Sequence, residues 1–243
     1  PDVKEFVGRF EVESREVFTH RKEIVKACEI HPGQTIADIG AGTGLFTRMF
    51  SETVGQDGRV IAVDIAQKFL DHIQATSRAA GLRNIQTQLS KADSTELPAE
   101  SIDIAFICDT YHHFEFPRKT MVSLHRALKP GGRVVLVDFR RIEGKSTEWV
   151  LSHVRAGQEV FEAEILHAGF KKLHEERELL KENYFVVFQK LMPANGGAAP
   201  KLEFPIIAKH GGVVPRPAAV EQPRAGAKVV FDVTPDTKPA DVN

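Results

Sequence analysis

Apolar and polar positions along the chain change period several times, and those changes delimit its elements. From Glu11 to Ile30 the apolar residues Val12, Val17, Phe18, Ile24, Val25 and Ala27 recur among charges at helical spacing, and His31-Pro32-Gly33 ends the pattern. One amphipathic helix is expected there. Short runs rich in β-branched residues then alternate with amphipathic stretches. Strands are expected at Thr35 to Ile39, Arg59 to Val63, Ile85 to Leu89, Ile102 to Ile107 and Arg133 to Phe139. Helices are expected at Leu45 to Val54, Ala66 to Ala80, Pro117 to Leu128 and Glu159 to Ala168. Strands separated by helices of ~10–15 residues require right-handed crossovers and a mostly parallel sheet covered on both faces, a doubly wound α/β fold. The last two strand-like runs, Phe170 to Glu176 and Glu182 to Gln189, have no helix between them and imply a terminal antiparallel hairpin.

Beyond Pro193 the texture changes to Pro, Gly and Ala punctuated by short apolar runs, as in a linker or an arm lying on a surface. The expected division is a helical lid over 1–32, a nucleotide-binding domain over 33–192 and an arm over 193–243, through which copies of the chain could associate. At 243 residues there is room for one sizeable α/β core and an appendage. Balanced charge, 32 basic against 33 acidic residues, gives no footing for nucleic acid. No apolar run approaches the ~18 residues that span a bilayer. The chain begins at Pro1, which leaves room for a removed leader, and a cytoplasmic location is the expectation. Cys28 and Cys108, the two cysteines, fit neither a zinc knuckle nor a redox pair and read as buried thiols.

The first strand-to-helix turn, Asp38-Ile39-Gly40-Ala41-Gly42-Thr43-Gly44, is where an open parallel sheet binds its ligand. Glycines allow a sharp bend and close approach, and the following helix offers free N–H groups. Counted from Gly40, a dinucleotide fingerprint wants glycine where Leu45 stands. Asp64 after the second strand suits a ribose, in NAD or S-adenosylmethionine alike.

The run Ala37 to Gly44 resembles the first motif of class I S-adenosylmethionine-dependent methyltransferases, of the small-molecule, methyltransferase type 11 kind. Asp64, Lys91-Ala92-Asp93, Ile104 to His113 and Leu128-Lys129-Pro130-Gly131-Gly132 follow in that family's order. The resemblance covers roughly Ile24 to Lys190, and the hairpin fits it too. It implies a seven-stranded sheet, S-adenosylmethionine as cofactor and a small-molecule methyl acceptor. Implied cofactor contacts are Asp38, Gly40, Ala41, Gly42, Thr43, Gly44, Asp64, Ile65, Ala92, Asp93, Ser94 and Asp109, with Asp93 near the adenine amino group unless it only caps a helix.

Methyl transfer needs an aligned nucleophile, exclusion of water and, for weakly acidic acceptors, a base. Tyr111, His112 and His113, beyond the fourth strand, are the catalytic candidates, His112 foremost; packing beneath the loop is the competing reading. Asp109 with the two histidines could hold a metal, but spacing suggests no further ligand, and none is expected. Arg9, Arg15, Phe18 and His20 from the leading segment, His153 and Arg155 from Trp149 to Gln158, and Tyr184 could each close the pocket or lie on ordinary surface. No thiol cluster suits arsenic, and Asp109-Thr110-Tyr111-His112 replaces the Asn-Pro-Pro-Tyr signature of many base and protein-amide enzymes. The segment Phe204 to Asn243, with Gly211 to Pro215 and Lys228 to Thr234, is similar to the opening of a DsrE-like sulfur-relay domain. Two alternatives therefore stand beside the methyltransferase: an NAD(P)-dependent reductase, and a cofactor-binding module serving a sulfur-handling partner.

Overall fold

The computed structural model describes residues 3–12 and 15–192. The arm, its DsrE-like resemblance and any association through it lie outside those residues. Seven strands form one sheet in the order β3-β2-β1-β4-β5-β7-β6. They are β1 Thr35–Ile39, β2 Arg59–Asp64, β3 Ile85–Leu89, β4 Ile102–Cys108, β5 Leu128–Phe139, β6 Phe170–Glu175 and β7 Asn183–Lys190. Pairing is parallel from β3 through β5. It turns antiparallel at β5·β7 and β7·β6, so the expected hairpin closes one edge. The strand order reverses between β1 and β4, which places a crevice above their carboxyl ends.

Eight helices accompany the sheet among the described residues: α1 Val3–Phe10, α2 Glu16–Thr19, α3 Arg21–Ala27, α4 Leu45–Val54, α5 Gln67–Ala79, α6 Pro117–Ala127, α7 Glu148–His153 and α8 Gln158–His167. Ile24, Cys28, Phe46, Phe50 and Val54 from α3, its end and α4 pack on Ile36, Val60, Ile104, Phe106, Val135, Phe185 and Val187 of the sheet. The central strands read as apolar runs because both of their faces are covered.

Three boundaries differ from expectation. The continuous helix expected over 11–30 is instead α2 and α3, broken at His20 (φ −95°, ψ 18°), with α1 lying upstream. Tertiary bonding overrides helical period here: the Glu16 carboxylate accepts the backbone N–H groups of Lys181, Glu182 and Asn183 at 2.6–2.9 Å, tying α2 to the start of β7. The segment from Trp149 is a helix, α7, whose N-cap Thr147 hydroxyl accepts the Val150 N–H. Finally, β5 begins five residues early, because Leu128 pairs with Ile102 across a bulge.

Candidate active site: the cleft above β1 and β4

A single cleft of about 1130 Å³ lies above the carboxyl ends of the central strands. That volume lies just above the ~300–1,000 Å³ of an ordinary small-molecule pocket.

Its floor is the glycine turn. Gly40 (φ +71°) and Gly42 (φ +52°) hold backbone that L side chains rarely adopt, and a Cβ on Gly40 would lie 2.2 Å from the Thr110 methyl. Gly40 and Ala41 donate their N–H groups to the Val63 carbonyl, pinning the turn to β2. Ala41 and Thr43 also line the cleft. Gly44 does not: its φ is +79°, it starts α4, and a Cβ there would strike Ile73 of α5 at 2.7 Å. The third glycine serves helix packing.

Three carboxylates stand along one wall. Asp38 is buried, accepts the Thr47 hydroxyl at 2.6 Å, and is pushed up to about 6 by its burial. Asp64 accepts the Gly42 N–H at 2.9 Å and the Ala66 N–H at 2.8 Å, and burial raises it also. Each of its oxygens keeps a second lone pair for a ribose hydroxyl. Asp109, in the left-handed region at φ +48°, pairs with Arg15 and accepts the Asn183 amide at 2.6 Å. Burial pushes it up to about 7 against the pull of the Arg15 guanidinium. Ile65, an apolar side chain left 61% exposed, marks the rim beside Ala92 and Ser94. Asp93 stands outside the lining residues and forms an exposed ion pair with Lys119 at 3.4 Å.

The roof comes from α1. Phe6 and Phe10 line the cleft, Phe6 meets Phe69 of α5 edge-on at 5.4 Å, and the Phe10 ring lies 3.6 Å from where a Gly42 Cβ would stand. Arg48 links this roof to the turn, binding both the Glu11 carboxylate and the Thr43 carbonyl. Arg9 and Arg15 reach the cleft, whereas Phe18 and His20 do not line it.

At the other end stand His112, His113 and His153 with Phe139 and Trp149. His112 is buried; its Nδ1 lies 2.7 Å from Asp138 Oδ1, and its Nε2 has no hydrogen-bond partner. The backbone N–H of His112 also reaches Asp138, which fixes the ring's position. His113 is pushed down to about 4, chiefly by burial and then by the neighbouring imidazoles. Burial lowers His153 as well. Tyr111, the remaining catalytic candidate, is fully buried against Phe114 and Phe161 and lies outside the lining residues, whereas the two histidines of the same 3₁₀ turn line the cleft. Arg155 is held by Glu164 at 2.6–2.8 Å and stacks on Phe161, and Tyr184 is buried; neither lines the cleft. Cys28 is buried as expected, while Cys108 is only half-buried and reaches the cleft floor. The sequence reading missed Phe6, Phe10, Asn183 and Phe139, which carry no motif.

Residues 37–136 match the family model for the methyltransferase domain. The matched stretch resembles a class I S-adenosylmethionine-dependent methyltransferase domain. A curated relative, the ubiquinone/menaquinone biosynthesis C-methyltransferase of Vibrio vulnificus, is 33% identical over 111 residues, 45% of this chain and 43% of that protein. The chain thus spans less than half the length of the relative it matches. Among solved structures, an S-adenosylmethionine-dependent methyltransferase of Aquifex aeolicus superposes with a TM-score of 0.69 at 22% identity, over 79% of this chain and all of that one. The [4+2]-cyclase SpnF superposes with a TM-score of 0.62 at 15% identity, over 72% of this chain and 81% of that one. Both likenesses concern the fold.

The match to a methyltransferase domain implies S-adenosylmethionine as cofactor, and the residues present fit it. A glycine turn on the cleft floor, an exposed apolar rim at Ile65 and the carboxylates Asp38, Asp64 and Asp109, the last paired with Arg15, complement a zwitterionic amino acid, a sulfonium, a ribose and a flat base.

Proposed function

We propose that the chain transfers a methyl group from S-adenosylmethionine to a small-molecule acceptor seated at the histidine-lined end of the cleft. One observation carries this reading: a carboxylate-lined nucleotide end and an aromatic, imidazole-lined end share one continuous cleft. When bound, the cofactor supplies a methyl carbon already activated by the sulfonium. The chain's own task is therefore alignment, exclusion of water and handling of the acceptor's proton. Asp64 would hold the ribose hydroxyls, Ile65 and Ser94 the base, and Asp38 or Asp109 the amino group, with Arg15 facing the carboxylate. Phe6 and Phe10 would cover the cofactor, and Trp149 and Phe139 would wall the acceptor. Asp138 holds the Nδ1 side of His112 and leaves Nε2 without a partner, so Nε2 would be the nitrogen that takes the acceptor's proton. Tyr111 belongs to the scaffold in this reading.

The curated relatives are named for C-methylation in quinone biosynthesis. Aromatic walls suit a ring-bearing acceptor such as a phenol or quinol. Trp149, His153, Phe139 and Asn183 lie outside the matched 37–136 segment, so acceptor choice belongs to this chain rather than to that likeness. The fold alone is shared with a [4+2]-cyclase, which makes turnover the deciding measurement. The full chain, incubated with S-adenosylmethionine and a panel of phenols, quinols, thiols and amines, should release S-adenosylhomocysteine with at least one class. Silence across the panel with intact S-adenosylhomocysteine binding would favour a binding module. Tight NADH binding without any response to the methyl donor would favour a reductase.

A further inference from the structure

Three imidazoles from two separate elements converge at the acceptor end. His112 and His113 come from the 3₁₀ turn after β4, and His153 from α7. Their ring centroids lie 4.1 Å (His112 to His113), 5.2 Å (His112 to His153) and 4.9 Å (His113 to His153) apart. One nitrogen from each falls within 4.8 Å of the others. A tetrahedral ion with Zn–N bonds of ~2.0–2.1 Å would hold such nitrogens ~3.3 Å apart, so the set needs to close by roughly 1.5 Å or less.

Two further observations set this cluster apart from a chance grouping of surface histidines. The His112 side chain is 1% exposed, and its Nε2 has no partner although the ring is locked by Asp138 behind it. A buried nitrogen without a partner is costly. A carboxylate on the far nitrogen is the arrangement that fixes the tautomer and raises the basicity of metal-binding histidines. In addition, His153 is braced from outside by Trp149, stacked on it at 4.6 Å and 24°, and Trp149 in turn meets Phe139 edge-on. His112 and His153 are therefore oriented by their neighbours before anything binds.

We propose that His112, His113 and His153 form a site for a divalent first-row transition ion, zinc by ligand chemistry, whose remaining coordination position opens into the cleft. Three neutral nitrogen donors with one open position is the composition of a Lewis-acid zinc site. An ion there would take the acceptor's hydroxyl or thiol as its fourth ligand and favour its deprotonated form, in place of proton removal by His112 Nε2, whose lone pair the ion would occupy. That last role rests on the methyl-transfer reading; the ion site itself does not.

The full chain, free of any polyhistidine tag, is stripped with a chelator, dialysed and titrated with Zn²⁺ by calorimetry, and its bound metal is counted by mass spectrometry. Co²⁺ replaces Zn²⁺ for a visible spectrum of tetrahedral type. One ion per chain is expected. His113→Ala and His153→Ala, which change exposed side chains, should each weaken binding by ~10–100-fold, and Asp138→Asn by a similar factor. The exposed His31→Ala should bind as wild type. Each sample is also titrated with S-adenosylhomocysteine. No stoichiometric ion in wild type, or unchanged affinity in both His113→Ala and His153→Ala, overturns the site, and retained S-adenosylhomocysteine binding would leave the methyltransferase reading standing. Ion binding that depends on these histidines supports the site, even if S-adenosylhomocysteine fails to bind and the methyl-transfer reading falls.

Discussion

Gly40→Ala tests the construction of the cofactor turn. Two costs add. At φ +71° an alanine pays the left-handed penalty of ~1–2 kcal/mol, and its Cβ would lie 2.2 Å from Thr110 Cγ2, 2.6 Å from Oγ1 and 2.9 Å from Cβ. Overpacking of that kind costs ~1–3 kcal/mol. Together the expected loss is ~2–5 kcal/mol, or roughly 2–4 °C in Tm for each kcal/mol at this size. Thr110→Ala removes the two nearest atoms and leaves Cβ at 2.9 Å, so it relieves the overlap in part. Alone it should cost ~0.5–1.5 kcal/mol, since Thr110 donates to the Cys108 carbonyl at 2.9 Å. The double variant should therefore be more stable than the sum of the singles predicts, by ~1–2 kcal/mol. Urea unfolding followed by circular dichroism measures all four corners of the cycle. Additivity within ~0.5 kcal/mol, or a Gly40→Ala cost no larger than the ~1–2 kcal/mol of the left-handed penalty, would refute the close-approach argument and leave only backbone strain.

Burial raises Asp109 from 3.8 to about 7 and Asp38 from 3.8 to about 6, so between those limits the folded chain holds protons that the unfolded chain has lost. Their contribution to stability is full below about 4 and is lost as pH rises through about 6 to 7; thermal melts from pH 4.5 to 8 should show it, and Asp109→Asn should flatten the upper part of the profile. A slope unchanged in Asp109→Asn would count against the shift. The Tyr184 hydroxyl is buried without a hydrogen-bond partner, so Tyr184→Phe should stabilise the fold by ~1–3 kcal/mol in the same unfolding assay, and a loss of stability would show that the hydroxyl is satisfied.

The strands, the order of the motifs and the terminal hairpin were legible in the sequence because β-sheet period and turn glycines are local signals. Gly40 and Gly42 followed from that logic, whereas Gly44 was assigned to the ligand when its neighbour is Ile73 of α5, a contact that no spacing encodes. Tyr111 shows the same limit from the other side. Three adjacent polar residues after β4 all looked eligible, and only the 3₁₀ turn decides that the histidines face the cleft while the tyrosine packs on Phe161. The broken leading helix was hidden for a third reason, since its break depends on the Glu16 carboxylate meeting three backbone N–H groups more than 160 residues away.

These limits follow the division of labour within the cleft. The proposed cofactor end is built largely from turns and strand ends within 37–136, with Phe6, Phe10 and Arg15 added from upstream, so motifs and a family model can find most of it. The acceptor end is assembled from the turn after β4, the end of β5, α7 and the start of β7, each contributing one or two side chains. The sequence offers His153 either as part of the pocket or as ordinary surface, and its partnership with His112 and His113 depends on the placement of α7. Asp138 is further removed: it reads as one more residue of an apolar strand, yet it is wholly buried and orients His112 through both ring and backbone. A carboxylate kept at the centre of a covered sheet carries a desolvation cost that an apolar residue would avoid. Its retention beneath a converging set of imidazoles is the physical reason to look for chemistry at that end, beyond what the glycine turn implies.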